Sequence, residues 1–306
     1  MNTFRKVANV WLCEKRTYVK ESTAAVYQQQ LVTHLLPAFG AKRMIRQNDV
    51  QNYVQAKLKD GLSHKSLKDL LTVLKMIVKY GHRTGRFPLT EWHVSFPKSE
   101  SLCTSCHNPL EAQYEQKLIR YILSHPDPKN VGILLALLTG LRIGELCALQ
   151  WKEIDEDRQL IIVNKTLKRI YHIDKHKTSV SITSPKTRTS NREVPMNKLL
   201  LSVLIPIKRN SCSSHYLLTN SDKPTEPRVY RQYFHHLMNK LELPHIRFHD
   251  LRHTFATRCI ASKCDYKVVS AILGHSSITT TLDMYVHVDH HQKLECIDKM
   301  IGHLGI

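Results

Sequence analysis

From Thr3 to about Gly85 apolar residues return every three or four positions, a spacing that commits the stretch to helices. Val7, Val10 and Trp11 open the pattern, and Val26, Tyr27, Leu31 and Leu35 continue it. Residues 67–80, LKDLLTVLKMIVKY, repeat it with lysines on the opposite face. Gly40, Gly61 and Gly81 stand where C-terminal helix stops are expected. Residues 1–87 therefore read as a small all-helical domain with a basic outer face.

The character changes at residues 88–109, where Pro88, Pro97 and Pro109 frame a polar stretch without sustained period, the signature of a linker. Beyond it, residues 111–122 and 131–138 read as helices, the second ending at Thr139-Gly140. Residues 160–163, 180–183 and 192–195 have strand composition and are separated by polar turns. Helical patterns return from about Val229. The fold class is mainly α with a small antiparallel β-sheet, in two domains: helical residues 1–87, then an α+β domain over residues 110–289, with a helical tail at 290–306.

Charge narrows the partner. The 306 residues carry 45 Lys+Arg against 26 Asp+Glu, a formal net charge of +19. Residues 1–90 hold 16 basic and 5 acidic side chains, so more than half of the excess lies in under a third of the chain. Such a balance favours a polyanion, because neutralised phosphates release their counterions. Eight cysteines in this length are too sparse for a disulfide framework. The N-terminus lacks the apolar core of a signal peptide, and no apolar run approaches the ~20 residues of a membrane span. A cytoplasmic, nucleoid-associated protein with no membrane partner is expected.

Four segments carry chemistry. They are Thr139-Gly140-Leu141-Arg142-Ile143-Gly144-Glu145-Leu146, followed by Leu149-Gln150-Trp151; Pro185-Lys186-Thr187-Arg188-Thr189; His249-Asp250-Leu251-Arg252-His253; and Leu273-Gly274-His275 with Tyr285 ten residues further on. Taken singly, each has an ordinary reading: a helix-end arginine, a solvated lysine in a turn, a basic helix start, an amphipathic core tyrosine. Their joint occurrence in this order resembles the tyrosine recombinase (phage integrase) family, over essentially the whole second domain and more weakly over the first. The resemblance implies an N-terminal SAM-like DNA clamp, a tyrosine-recombinase catalytic domain and site-specific cutting and rejoining of DNA. It implies Tyr285 as the nucleophile, Arg142, Arg252 and His275 around the phosphate, and Lys186 as the acid that protonates the departing 5′ oxygen. Glu145 is read as an orienter of the cations.

The physical chemistry fits those roles. His249 and Arg252, three apart, share one helix face and can converge on one phosphate. Arginine forks grip two phosphoryl oxygens where a lysine offers a point charge. Tyrosine ionises at a pKa of ~10, so a phenolate at pH 7 costs about 4 kcal/mol, which nearby cations and a base such as His249 would lower. The phosphodiester energy is kept in a 3′-phosphotyrosyl bond, so no cofactor is expected.

No metal is expected either. His249 and His253 stand at i, i+4, but Asp250 and Leu251 do not reproduce the His-Glu-x-x-His pattern. Cys103-Thr104-Ser105-Cys106-His107 matches a c-type haem attachment string, without a companion signal, and reads as coincidence. No Gly-x-x-x-x-Gly-Lys-Ser/Thr phosphate loop is present.

Pro185–Thr189 and the strand-rich region 158–183 resemble integrases of phages and conjugative transposons. The expected partners are double-stranded attachment sites, further copies in a homotetramer, and accessory DNA-bending or excision proteins. The sequence starts near the clamp, which argues against dependence on arm sites. A Xer-like recombinase resolving chromosome or plasmid dimers and a catalytically inactive DNA-binding regulator are the alternatives, and the second would lack one of the catalytic positions. In the tail, Leu294, Ile297 and Ile301 have helical spacing, and the resemblance favours docking on a neighbouring protomer over folding back.

Overall fold

The computed structural model describes residues 2–97, 109–173, 177–183, 191–275, 277–279 and 282. The Cys103–Cys106–His107 string, Lys186 with its turn, Tyr285 and the tail at 290–306 lie outside the described residues. The chain divides into two compact units, one comprising Met1–Ser105 with Arg169–Ser179, the other Cys106–Lys168 with Val180–Ile306.

The first unit is helical. Its elements are α1 (Phe4–Tyr18), α2 (Glu21–Gln30), α3 (Leu36–Phe39), α4 (Gln47–Lys59) and α5 (His64–Arg83), with a π turn at Leu31–Leu35 between α2 and α3. Pro37 explains the π turn. Its ring would strike the carbonyl four residues back in a regular helix, and widening the preceding turn relieves that clash. The Leu36 amide accordingly reaches back five residues to the Leu31 carbonyl. Phe4, Val7, Trp11, Leu31, Leu35, Phe39, Leu67, Leu74 and Ile77 form the core, all at most 4 % exposed.

Two expectations meet this unit differently. Gly61, at φ +82°, follows α4 as a stop. Gly81 does not stop α5; it lies buried inside the helix, and the left-handed stop falls at Gly85, φ +65°. The reason is packing. A Cβ at Gly81 would come within 2.6 Å of Phe87 Cβ and 2.8 Å of Val7 Cγ1, so only a bare backbone lets α1 and the chain after α5 approach.

The proline-framed stretch is also tied down at its start. Trp92 is buried and donates from its indole to the Ile45 carbonyl at 3.1 Å. Gln47 and Gln51, one turn apart on α4, each bind backbone with both amide atoms. Gln47 Oε1 accepts from His93 N at 2.9 Å while its Nε2 donates to His93 O at 2.7 Å, and Gln51 does the same with Ser95 at 3.1 and 3.0 Å. The rise of one helical turn matches two residues of extended chain, so the two glutamines act as an artificial strand edge.

The second unit is built around α7 (Pro128–Thr139), buried along nearly its whole length. Asp127 caps it, accepting from the amides of Lys129 and Asn130 at 2.8 and 3.0 Å, and Pro128 occupies its first turn. Around it lie α6 (Ala112–Ser124), α8 (Ile143–Ala148), α9 (Lys198–Arg209), α10 (Pro227–Lys240), α11 (Phe248–Ala261) and α12 (Tyr266–Leu273). Helix α9 carries none of the sequence signals used above.

Where one sheet was expected there are two. Strands β1 (Ile154–Asp155), β2 (Leu160–Val163) and β5 (Arg192–Pro195) form a three-stranded antiparallel sheet in the order β1-β2-β5, while β3 (Thr166–His172) and β4 (Lys177–Thr183) form a second. Ile161 faces Ile154 on one side and Val194 on the other, all three buried, so the register is fixed by one apolar row. That register opposes Val163 to Arg192 and puts Arg192 on the same inward side as Val194. Among the described residues no helix is long and apolar enough to cross a membrane.

Alanine is ordinarily the better helix former by about 0.5–1 kcal/mol. Gly81→Ala is nevertheless expected to destabilise the first unit by roughly 1–3 kcal/mol, the cost of overpacking. A lowered urea midpoint would bear this out, and a raised one would overturn the packing account.

Candidate active site

Gly140 begins the site. It takes φ +66° to end α7, and a side chain there would meet Leu273 Cδ2 at 2.5 Å and Phe255 Cδ1 at 2.9 Å. The sharp exit delivers Arg142 as the residue preceding α8. Glu145, three residues on, accepts from the Arg142 backbone amide at 3.0 Å and from Arg142 Nη1 at 2.8 Å. This carboxylate also takes two bonds from Arg192, Nη1 at 3.1 Å and Nη2 at 2.9 Å. Both side chains of the Glu145–Arg192 pair are nearly closed to solvent, at 4 % and 6 % exposure, whereas Arg142 is 36 % exposed. Burial alone would raise the Glu145 carboxyl; the bonds and charge of Arg192, followed by those of Arg142, outweigh it and hold the group below its ordinary range.

From α11 come His249 and Arg252. Arg252 is 2 % exposed, and it donates from Nη1 to the Gly140 carbonyl and from Nη2 to the Leu273 carbonyl, both at 2.8 Å. The end of α12 is the meeting point. Arg192 Nε donates to Ile272 O at 2.6 Å, Arg252 Nη2 to Leu273 O, and Arg142 Nη2 to Gly274 O at 3.3 Å. Three successive carbonyls, the groups a helix C-terminus leaves without amide partners, each receive a different guanidinium. Gly274 then turns left-handed at φ +65°, and His275 follows at once, half-buried.

Both imidazoles feel these cations. Burial, then the charges of Arg252 and Arg142, push the His249 pKa down to about 4; the same causes, with Arg192 and His249 added, bring His275 to about 4. At pH 7 each is neutral. His253, 2 % exposed, stands edge-on to His249 with ring centroids 4.8 Å apart. Asp250 accepts from the Arg247 amide at 2.8 Å and caps the start of α11.

Of the six residues singled out from the sequence, the described region thus brings together Arg142, His249, Arg252 and His275. Lys186 and Tyr285 lie outside it. Glu145 does orient cations, though its more deeply buried partner is Arg192, which sequence reasoning placed only in a strand. Sequence alone carried no signal for the pairing, because both the burial of Glu145 and its approach to Arg192 exist only in the folded chain.

These features gather three guanidinium groups and two neutral imidazoles near the end of one helix of a mainly helical body. The profile of the phage integrase family matches residues 110–292, and that of the phage integrase N-terminal SAM-like domain matches residues 3–58. The chain belongs to the phage integrase family, the tyrosine recombinases. It is a site-specific recombinase, an enzyme that breaks and rejoins DNA strands. It is 27 % identical to a XerC-like tyrosine recombinase of Caldanaerobacter subterraneus over 97 % of this chain and 82 % of that one. It is also 27 % identical to the ICEBs1 integrase of Bacillus subtilis over 84 % of this chain and 70 % of that one. Among solved structures, the Tn1549 transposon integrase in complex with transposon right end DNA superposes with a TM-score of 0.81 at 23 % identity, covering 98 % of this chain and 100 % of the other.

Two outcomes follow from the geometry. Arg192→Leu leaves the buried Glu145 short of its main partner and is expected to cost about 3–5 kcal/mol in denaturant unfolding; a change below 1 kcal/mol would contradict the buried pair. For pH, the unfolded imidazoles take up protons near 6.5 and the folded ones only near 4. The stability they confer is therefore complete above about 6.5 and is lost as pH falls through the window toward 4. Thermal unfolding from pH 7.5 to 4 should show that decline, and His249→Gln with His275→Gln should flatten it.

Proposed function

We propose that this chain is the integrase of a mobile element of the conjugative type, inserting and excising it at DNA attachment sites. Similarity to the ICEBs1 and Tn1549 integrases supports the class of element, and the Pro185–Thr189 segment agrees with it. The observation that carries the chemical reading is the convergence of Arg142 and Arg252 on the end of α12, close enough to His249 and His275 for their charges to lower both imidazole pKa values. Planar cations already oriented before substrate arrives stabilise charge on the non-bridging oxygens of a scissile phosphate without reorganisation in the transition state.

In this reading the Tyr285 hydroxyl oxygen attacks phosphorus, its proton passing to neutral His249. The bond from phosphorus to the 5′ oxygen breaks, and that oxygen takes a proton from Lys186. His275 donates a hydrogen bond to the phosphate. Binding of the anion offsets the arginine charges, so the His249 pKa rises when substrate is bound, which strengthens it as a base where it is needed. Residues 1–87 act as the clamp, 88–109 as connector and 110–289 as the catalytic domain. Exchange between two duplexes requires four cleavages, hence four active sites, and the tail at 290–306 docks on the neighbouring protomer to couple them. Accessory bending or excision proteins would set the direction of the reaction.

The test uses nicked duplexes spanning the junctions between the element and its host. Wild-type protein is expected to form a covalent adduct resistant to denaturant, and Tyr285→Phe to form none. Adduct formation that survives this substitution would remove Tyr285 from its role. Exchange at chromosome dimer-resolution sites, with none at element junctions, would replace the mobile-element reading by the Xer-like one.

A further inference from the structure

Beside His249 the second unit contains a cleft of about 310 Å3. Leu141 just before α8, Ile143 at its start and Phe248 from α11 supply apolar walls; Arg231 from α10, Arg247 and His249 supply the polar lining. Arg247 is held in place, donating from Nη2 to Asp250 Oδ1 at 3.0 Å and from Nε to Asp250 Oδ2 at 3.3 Å, while its side chain remains 58 % exposed. Arg231 is exposed and makes no hydrogen bond or ion pair with any described residue. Its charge nevertheless contributes to lowering the His235 pKa, after burial and His245, so the neighbourhood is electropositive. The lining carries two guanidinium groups and an imidazole, and the Asp250 carboxylate is engaged by Arg247.

We propose that this cleft receives the sugar-phosphate unit next to the scissile phosphate, with Arg231 gripping its phosphate and the apolar walls lying against its deoxyribose. The volume suits one such unit, at the low end of the about 300–1,000 Å3 of ligand clefts. Arg231 is then a positioning residue: it sets how far along the strand the chain engages, so that the next phosphate falls between Arg142, Arg252 and His249. Phosphate contacts of this kind fix register without reading sequence. The inference rests on the preceding assignment of the scissile phosphate to that cradle.

The experiment uses the full chain with the nicked junction duplexes, and measures both binding and adduct formation over a range of salt. Arg231→Gln is expected to weaken binding roughly five- to tenfold and to lower the slope of log K against log salt by about 1. The protein concentration giving half-maximal adduct should rise by more than the limiting rate falls. Arg231→Lys restores the charge and should restore the slope. An unchanged slope in Arg231→Gln overturns the proposal, as does a loss confined to the limiting rate. If wild-type protein binds these duplexes with the expected Arg231 dependence but forms no adduct, the recombination reading fails while the phosphate grip stands.

Discussion

A helix C-terminus leaves carbonyl oxygens without amide partners and carries the negative end of the helix dipole. At the end of α12 this ordinary deficit becomes the organising centre of the site, because Arg192, Arg252 and Arg142 each satisfy one of the carbonyls of Ile272, Leu273 and Gly274. The three arginines arrive from a strand, a helix and a helix start that are far apart in sequence. Their donors fix α12 against β5, α11 and α8 at once. Glu145 sits behind two of them and keeps their charges apart from full repulsion.

The same arrangement sets the protonation of the site. Concentrated positive charge in a partly buried place disfavours charging the imidazoles, so His249 and His275 stay neutral and leave the positive field to the guanidinium groups, which remain ionised. A site that is cationic yet holds neutral histidines can bind an anion and accept a proton without first losing one. The buried Glu145–Arg192 pair contributes little net stability by itself, since desolvation offsets the attraction. Its consequence is geometric: it holds the guanidinium of Arg142 at the mouth of the site.

Part of this was legible from spacing. Gly140 as a helix stop and His249 and Arg252 on one helix face follow from local rules about helices and caps. Gly81 misled because glycine signals two different things, a left-handed turn or a close approach, and only the position of Phe87 and Val7 distinguishes them. Arg192 was hidden for a related reason. Strand composition locates it in β5, but its partner depends on register against β2 and on where α8 ends up. The proline-framed stretch looked like a connector because prolines break periodicity, while its anchoring by Gln47 and Gln51 depends on side chains more than 40 residues away.

The sequence by itself determined the helical character of the first unit, the basic bias of the first third and most of the cationic and imidazole side chains of the candidate site, since these depend on period and residue chemistry within a few positions. Only the tertiary structure decided which cations share Glu145, which carbonyls orient the arginines and that Arg231 and His249 line one cleft. Those relations link residues as much as 132 positions apart, and no local preference encodes a contact that exists only once separate elements have packed.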